Sequence, residues 1–105
     1  MTTLGKATPI LRMFDEAKAR EFYLDYLGFA VVFEHRFTDD MPLYMGIVRD
    51  NVTLHLSEHH GDACPGAAVR IEVADAMAFL KELQEKKYRF LNPGLQDQSW
   101  GSREV

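Results

Sequence analysis

The sequence pattern that best indicates the architecture lies at residues 15–28, which read DEAKAREFYLDYLG. Asp15 is well placed as a helix N-cap, because its carboxylate can accept hydrogen bonds from the unpaired amides of the first turn. Gly28 can adopt the left-handed conformation that ends a helix. The residues between them predict an amphipathic helix, because its apolar members recur at helical spacing as one stripe: Ala19, Phe22, Tyr23, Tyr26 and Leu27.

Strand-like segments flank this helix on both sides. Residues 8–13 precede it as a short, mainly apolar run, and three further runs follow at residues 29–37, 43–48 and 52–57. The turn residues Arg49, Asp50 and Asn51 join the last two runs. The predicted order is therefore strand, helix and three strands.

The same order begins again after a linker. Residues 61–66 contain two glycines, a proline and an aspartate, which indicates a break in regular structure. Residues 67–73 alternate like a strand, and Asp75, 60 residues after Asp15, is placed to cap a second helix with the stripe Ala76, Phe79, Leu80 and Leu83. Residues 88–91 resume as strand. We predict one α+β domain over residues 1–105 with two related modules, at residues 1–60 and 67–105, the second C-terminally incomplete and lacking its last strand.

Composition and charge disfavour several classes of protein. The 105 residues include 12 Lys and Arg against 16 Asp and Glu, and the net charge of −4 argues against binding to nucleic acid. Cys64 is the only cysteine, which excludes an internal disulfide and favours a cytoplasmic location. No apolar run approaches the roughly 18 residues of a membrane span, so no membrane association is expected.

Alternation along residues 52–57 separates two faces of a predicted strand. The apolar side chains point towards the core, whereas Thr53, His55 and Ser57 point the other way. Residues 67–73 divide in the same manner, with Arg70 and Glu72 on the polar side. Such a polar sheet face is either solvated or the wall of a polar ligand groove, and the pattern leaves both interpretations open.

Metal binding is the sharpest chemical alternative, because a histidine and carboxylates on facing strands can hold a divalent ion. His55 is one candidate ligand and Glu72 a second, which is a small set. His59 and His60 are adjacent in a predicted loop and are interpreted as solvated, and Cys64 is interpreted as an unreactive thiol.

Two aromatic residues are candidates for ligand contact. Tyr44 lies in a predicted strand, and Trp100 lies beside Gly101 in the polar run 96–102, outside any apolar stripe. Aromatic rings beside a groove can stack on flat ligands, and the alternative role for both is packing.

Several fragments together resemble a known family. They are Pro9, Leu11 and Asp15, Glu21-Phe22, Asp25, Leu27-Gly28-Phe29, Val48-Arg49-Asp50, Val52-Thr53-Leu54, Ser57, Trp100-Gly101 and Arg103-Glu104. This set resembles the bleomycin resistance proteins of the vicinal oxygen chelate superfamily, which also contains glyoxalase I, extradiol dioxygenases and fosfomycin resistance enzymes. The resemblance implies the glyoxalase/bleomycin resistance fold, with paired βαβββ modules around a cupped groove. It also implies a homodimer with exchanged N-terminal strands.

The resemblance implies roles for individual residues. Bleomycin resistance proteins sequester a cationic drug in crevices at the dimer interface and use no catalytic metal. Their drug-stacking aromatics match Tyr44 and Trp100, and a small polar groove residue matches Ser57.

The resemblance also implies places where this sequence departs from the pattern of the family. Metal ligands of glyoxalase-like members occupy places that match Thr8, His55 and Ala68, so only His55 is retained. Acidic groove positions fall near Val32 and His35, so the local negative charge that attracts a cationic drug is expected to be weaker.

These inferences lead to one leading hypothesis and two alternatives. The leading hypothesis is a non-enzymatic, cytoplasmic homodimer without a cofactor that binds a small molecule, with a bleomycin-type glycopeptide as the candidate ligand. Its predicted ligand-binding residues are Tyr44, Trp100, Ser57, His55, Arg70 and Phe33. The first alternative is a metal-dependent glyoxalase-like lyase, isomerase or dioxygenase that holds a divalent metal with His55 and Glu72. The second is an accessory domain whose sheet edge binds another protein.

Overall fold

The structure of the chain, a computed structural model, describes residues 2–87 and the short strands Gln96–Asp97 and Arg103–Glu104. The chain divides into two units, Met1–Val69 and Arg70–Val105. None of the described helices is long and apolar enough to cross a bilayer.

The first unit is built on a mixed sheet of four strands. These are β1 (Ile10–Arg12), β2 (Ala30–His35), β3 (Tyr44–Arg49) and β4 (Val52–Ser57), in the spatial order β1-β4-β3-β2. β2, β3 and β4 pair antiparallel, whereas β1 pairs parallel with β4. Because the helix lies between β1 and β2 in the chain, the unit has the predicted order of strand, helix and three strands, and this α+β arrangement is confirmed.

The helix begins as predicted and then widens. Helix α1 spans Glu16–Arg20, and the Asp15 carboxylate accepts a hydrogen bond of 3.1 Å from the Lys18 amide. The helix continues as a π-helical segment, Glu21–Tyr26, and Gly28 follows at φ +81°. The wider turn was not predicted, because over six residues the apolar stripe does not distinguish a π-helix from an α-helix.

The core lies between α1 and one face of the sheet. Met45 and Ile47 of β3 and Leu54 and Leu56 of β4 are buried, and they pack with Met13, Ala19, Phe29 and Leu43. The alternation predicted along residues 52–57 is therefore confirmed, since His55 lies on the opposite face of β4 from this cluster.

Ion pairs join the helix to β2 and to the segment that follows it. The Arg20 guanidinium donates to Glu16 at 3.0 Å and to Glu34 at 2.5 Å, and Arg36 donates to the other oxygen of Glu16. The hydrogen bond from Arg20 holds the pKa of the Glu16 carboxyl below its usual range. Glu34 is thereby fixed on the helix side of the sheet, which helps to set the register of β2.

The second unit contains helix α2 (Ala76–Lys86) and a two-stranded antiparallel pair, β5 (Gln96–Asp97) and β6 (Arg103–Glu104). The prediction of a cap at Asp75 is confirmed, because its carboxylate accepts from the Ala78 amide at 3.0 Å. The helix ends at Lys87, which has a positive φ of 51°.

The strand predicted over residues 67–73 is wrong for this structure, in which these residues form neither helix nor strand. A strand requires a hydrogen-bonded partner, and alternation of apolar residues indicates a face but no partner. The strand predicted at residues 88–91 lies outside the described residues.

Candidate ligand-binding site

A β-bulge changes which side chains of β2 face away from the core. Val31 pairs with Ile47, but the next pair is Phe33 with Gly46, so Val32 is an extra residue in β2. One inserted residue reverses the alternation beyond it. As a result, Phe33 lies on the same face of the sheet as His55, whose partner in β3 is also Gly46.

Gly46 provides the space that the Phe33 ring occupies. A Cβ atom built at Gly46 would lie 2.3 Å from Cε1 of Phe33, which is closer than real carbon contacts allow. Only glycine therefore lets the ring lie across β3 at this point. The side chain of Phe33 remains 40% exposed, so one side of the ring faces solvent.

Three rings meet on this face, and we call Phe33, Tyr44 and His55 the aromatic cluster. The rings of Phe33 and Tyr44 are nearly parallel, with centroids 6.2 Å apart and 15° between their planes. The imidazole of His55 stands nearly perpendicular to both, at 5.2 Å from Phe33 and 5.3 Å from Tyr44. The Tyr44 hydroxyl and His55 Nδ1 are hydrogen-bonded at 2.8 Å, which fixes both rings.

Ser57 lies at the end of β4, directly across from Tyr44 in β3. Its side chain is fully buried and its hydroxyl has two hydrogen bonds within the chain. The hydroxyl donates to Oδ2 of Asp62 at 2.6 Å and accepts from the amide of His59 at 3.0 Å. Ser57 therefore holds the loop after β4 against the end of the sheet.

The environment of Tyr44 keeps its hydroxyl protonated. Burial raises the pKa of Tyr44 above its ordinary value, and the negative charge of Asp62 raises it further. At neutral pH the phenol is therefore a neutral hydrogen-bonding group with an apolar ring, which suits contact with a flat ligand.

The structure brings four of the predicted ligand-binding residues together, namely the aromatic cluster and Ser57. Arg70 belongs to the second unit, as does the candidate metal ligand Glu72, and neither lies in a helix or strand. Trp100 lies outside the described residues. Ligand contact by any of these side chains stays a prediction.

Two residues of this region were missed by sequence reasoning. Gly46 interrupts an otherwise apolar strand, and a glycine inside a strand is a known signal of close approach, so it could have been found. Asp62 lies in a glycine-containing loop, five residues after Ser57, and no periodic pattern indicates its position.

The residues that could hold a metal ion are few. Within the described part of the chain, no three His, Cys, Asp or Glu side chains are grouped in a way that could hold a metal. His55 has its Nδ1 atom engaged by Tyr44, and the loop histidine His59 contributes its backbone amide to Ser57.

Solved structures of similar fold include two proteins connected with bleomycin. The bleomycin-binding protein of bleomycin-producing Streptomyces verticillus, complexed with copper(II)-bleomycin, matches at a TM-score of 0.71 and 24% identity over 96% of this chain and 84% of that chain. A bleomycin resistance determinant encoded on the transposon Tn5 matches at 0.66 and 21% identity, over 95% and 84% of the two chains. A glyoxalase/bleomycin resistance protein/dioxygenase superfamily member from Sphaerobacter thermophilus matches at 0.67 and 21% identity, over 95% and 85%.

These likenesses show the fold, and a family model shows the family. No curated protein matches the chain. A family model described as a glyoxalase superfamily protein matches residues 2–105, which is nearly the whole sequence. The resemblance inferred from the sequence fragments is thereby confirmed, and the chain belongs to the glyoxalase superfamily.

Proposed function

We propose that this protein binds and sequesters a flat small molecule of the bleomycin type, as a dimer and without catalysing a reaction. The observation that carries the proposal is the aromatic cluster on the sheet face opposite the core. Phe33 and Tyr44 offer parallel rings, and the hydrogen bond between Tyr44 and His55 holds two of the three rings in place.

The energetics of stacking favour such a surface. An aromatic contact contributes about 0.5–1.5 kcal/mol beyond its buried area, and rings that are already ordered lose little entropy when a ligand arrives. The S. verticillus protein, whose structure is complexed with copper(II)-bleomycin, supports bleomycin as the first ligand to test.

Calorimetric titration with bleomycin tests the proposal. We expect micromolar or tighter binding by the unmodified protein and a roughly tenfold weaker affinity for Phe33→Ala, because the exposed stacking ring is lost. Phe37→Ala is the matched control, since Phe37 is 73% exposed and its ring contacts His35 rather than the aromatic cluster. Absence of binding by the unmodified protein, or equal losses in both variants, would contradict the proposal.

Intrinsic fluorescence tests the predicted role of Trp100 in the same titration. Trp100 is the only tryptophan of the chain, so a change in emission reports on its surroundings. Quenching that saturates with the calorimetric signal supports stacking by Trp100. Calorimetric binding with unchanged emission would remove Trp100 from the site.

The dimer belongs to the proposal because apolar side chains on this sheet face are incompletely covered. Ile10 in β1 pairs with His55, and Phe33 in β2 pairs with Gly46, which in turn pairs with His55. Ile10 and Phe33 are both 40% exposed. Sedimentation at the concentration used for binding is expected to give twice the mass of the chain. A monomer that binds bleomycin with full affinity would separate binding from dimerisation.

Metal analysis distinguishes the proposal from metal-dependent catalysis. If the purified protein contains a stoichiometric divalent ion that the His55→Ala variant lacks, the result would contradict the sequestration proposal and support the metal-dependent alternative.

A further inference from the structure

The loop that follows β4 brings an acidic side chain to the aromatic cluster. Ser57 donates to Oδ2 of Asp62 at 2.6 Å, and the Asp62 amide donates to the carbonyl of His59 at 3.3 Å. The loop therefore turns back so that Asp62 lies at the end of β4. Tyr44 occupies the neighbouring position in β3, because it is the cross-strand partner of Ser57.

The beginning of this loop is held firmly. The Glu58 amide donates to the Leu43 carbonyl, and the Leu43 amide donates to a carboxylate oxygen of Glu58, both at 2.9 Å. The Glu58 carbonyl also accepts from the Arg12 guanidinium at 2.5 Å. These contacts join β1, the residue that precedes β3 and the loop, so that Asp62 is presented from an ordered support.

The charge of Asp62 is available to a ligand. Asp62 is exposed, and no ion pair formed within residues 2–69 involves its carboxylate. Arg12, a cation that contacts this loop, donates to the Glu58 carbonyl and lies over the ring of Phe14 at 4.8 Å. An uncompensated carboxylate beside aromatic rings favours a cationic partner over a neutral one.

We propose that Asp62 selects the charge of the ligand: its carboxylate binds a protonated amine or amidinium group while the flat part of the same molecule lies on the aromatic cluster. This inference rests on the proposed function and adds the residue that supplies specificity. Ser57 is a positioning residue in this arrangement, because it holds one carboxylate oxygen and so orients the other. Val32 and His35, near which the acidic groove positions of the family fall, are not acidic, and Glu34 between them is paired with Arg20. In this proposal Asp62 supplies the charge from the loop instead.

Titration of Asp62→Asn with bleomycin at several salt concentrations tests the assignment. We expect a roughly three- to tenfold loss of affinity at low salt, the range for a partly exposed ion pair with a charge-assisted hydrogen bond. The dependence of affinity on salt should be weaker than in the unmodified protein, a readout that a purely structural role would not change. Asp62→Glu retains the negative charge, so this variant should retain part of the affinity at low salt and part of its salt dependence.

Asp50→Asn is the matched control. It removes the same charge in the turn between β3 and β4, where Asp50 is 88% exposed and has a φ of 51° that asparagine also tolerates. Asp50 lies roughly 20 Å along the sheet from Tyr44, beyond the screening length at physiological salt. We expect its affinity and salt dependence to match the unmodified protein.

The outcomes separate the two proposals. If the unmodified protein binds bleomycin and Asp62→Asn binds equally well with the same salt dependence, the assignment of Asp62 is overturned and the proposed function stands. If the unmodified protein does not bind, both are overturned.

A measurement without ligand checks the geometry on which the assignment rests. Because the charge of Asp62 contributes to the raised pKa of Tyr44, Asp62→Asn should lower that pKa towards the ordinary value. Titration of ¹³C-labelled tyrosine by NMR follows Tyr44 separately from the other tyrosines. An unchanged Tyr44 pKa would show that Asp62 does not lie beside the phenol.

Discussion

A Gly46→Ala variant is expected to keep its fold and lose at least tenfold in affinity for bleomycin. The new methyl group would lie 2.3 Å from Cε1 of Phe33, so the ring must leave its place across β3. Its near-parallel arrangement with Tyr44 and its contact with His55 are then both lost. The binding surface is removed without changing any residue that contacts the ligand.

The stability of this variant should change much less than its binding. Loss of two ring contacts costs about 1–3 kcal/mol, whereas replacing a strand glycine by alanine contributes about 0.5–1 kcal/mol in the opposite direction. Phe33 is already 40% exposed, so its ring can turn into solvent without opening the core. The expected net loss is about 1 kcal/mol in the free energy of unfolding, measured by urea denaturation.

Gly61→Ala is the control for this experiment. A Cβ atom at Gly61 meets nothing within 4 Å, and Gly61 does not have a positive φ. We expect unchanged binding and stability. If Gly46→Ala and Gly61→Ala bind bleomycin equally well, Phe33 does not form the surface that we describe.

The second large effect concerns the scaffold of the site. Leu56→Ala should lower the free energy of unfolding by about 2–5 kcal/mol, because Leu56 is 0% exposed and a cavity would remain in the core. Leu56 lies in β4 between His55 and Ser57 and pairs with Leu11 in β1 and Met45 in β3. A loss of this size is a large fraction of the 5–15 kcal/mol that is typical of a domain.

Urea or thermal denaturation measures this loss. Asp39→Ala is the control, since Asp39 is exposed in the loop between β2 and β3 and surface substitutions usually change stability by less than about 0.5 kcal/mol. A loss below about 1 kcal/mol for Leu56→Ala would contradict the assignment of β4 as a central core strand.

Local patterns in the sequence predict the first unit well. The cap at Asp15, the helix stop at Gly28 and the two faces of residues 52–57 all depend on neighbours within a few positions, and all are confirmed. The face of the sheet on which Phe33 lies does not follow from such local neighbours alone. Phe33 was predicted to bind ligand, but its place on the face of His55 depends on the bulge at Val32, which arises from pairing with β3 and which alternation along β2 does not predict.

The candidate site was predicted in its residue types more than in its arrangement. Tyr44, His55 and Ser57 follow from strand alternation and from the family resemblance. The contact of Asp62 with Ser57 could not be predicted, because it depends on the path of a loop that carries no periodic signal. The strand predicted at residues 67–73 shows the same limit, since alternation identified a face but no partner strand.

The central claim is that the aromatic cluster is the ligand-binding surface of this protein. Aromatic ¹H–¹³C NMR spectra recorded during a bleomycin titration test it most directly, because Phe33, Tyr44 and His55 each give resolvable ring signals once assigned by substitution. We predict that these three sets of signals shift together and saturate with the calorimetric binding curve, while the signal of Phe37 stays in place. Saturable binding that leaves the signals of Phe33 and Tyr44 unmoved would contradict the claim.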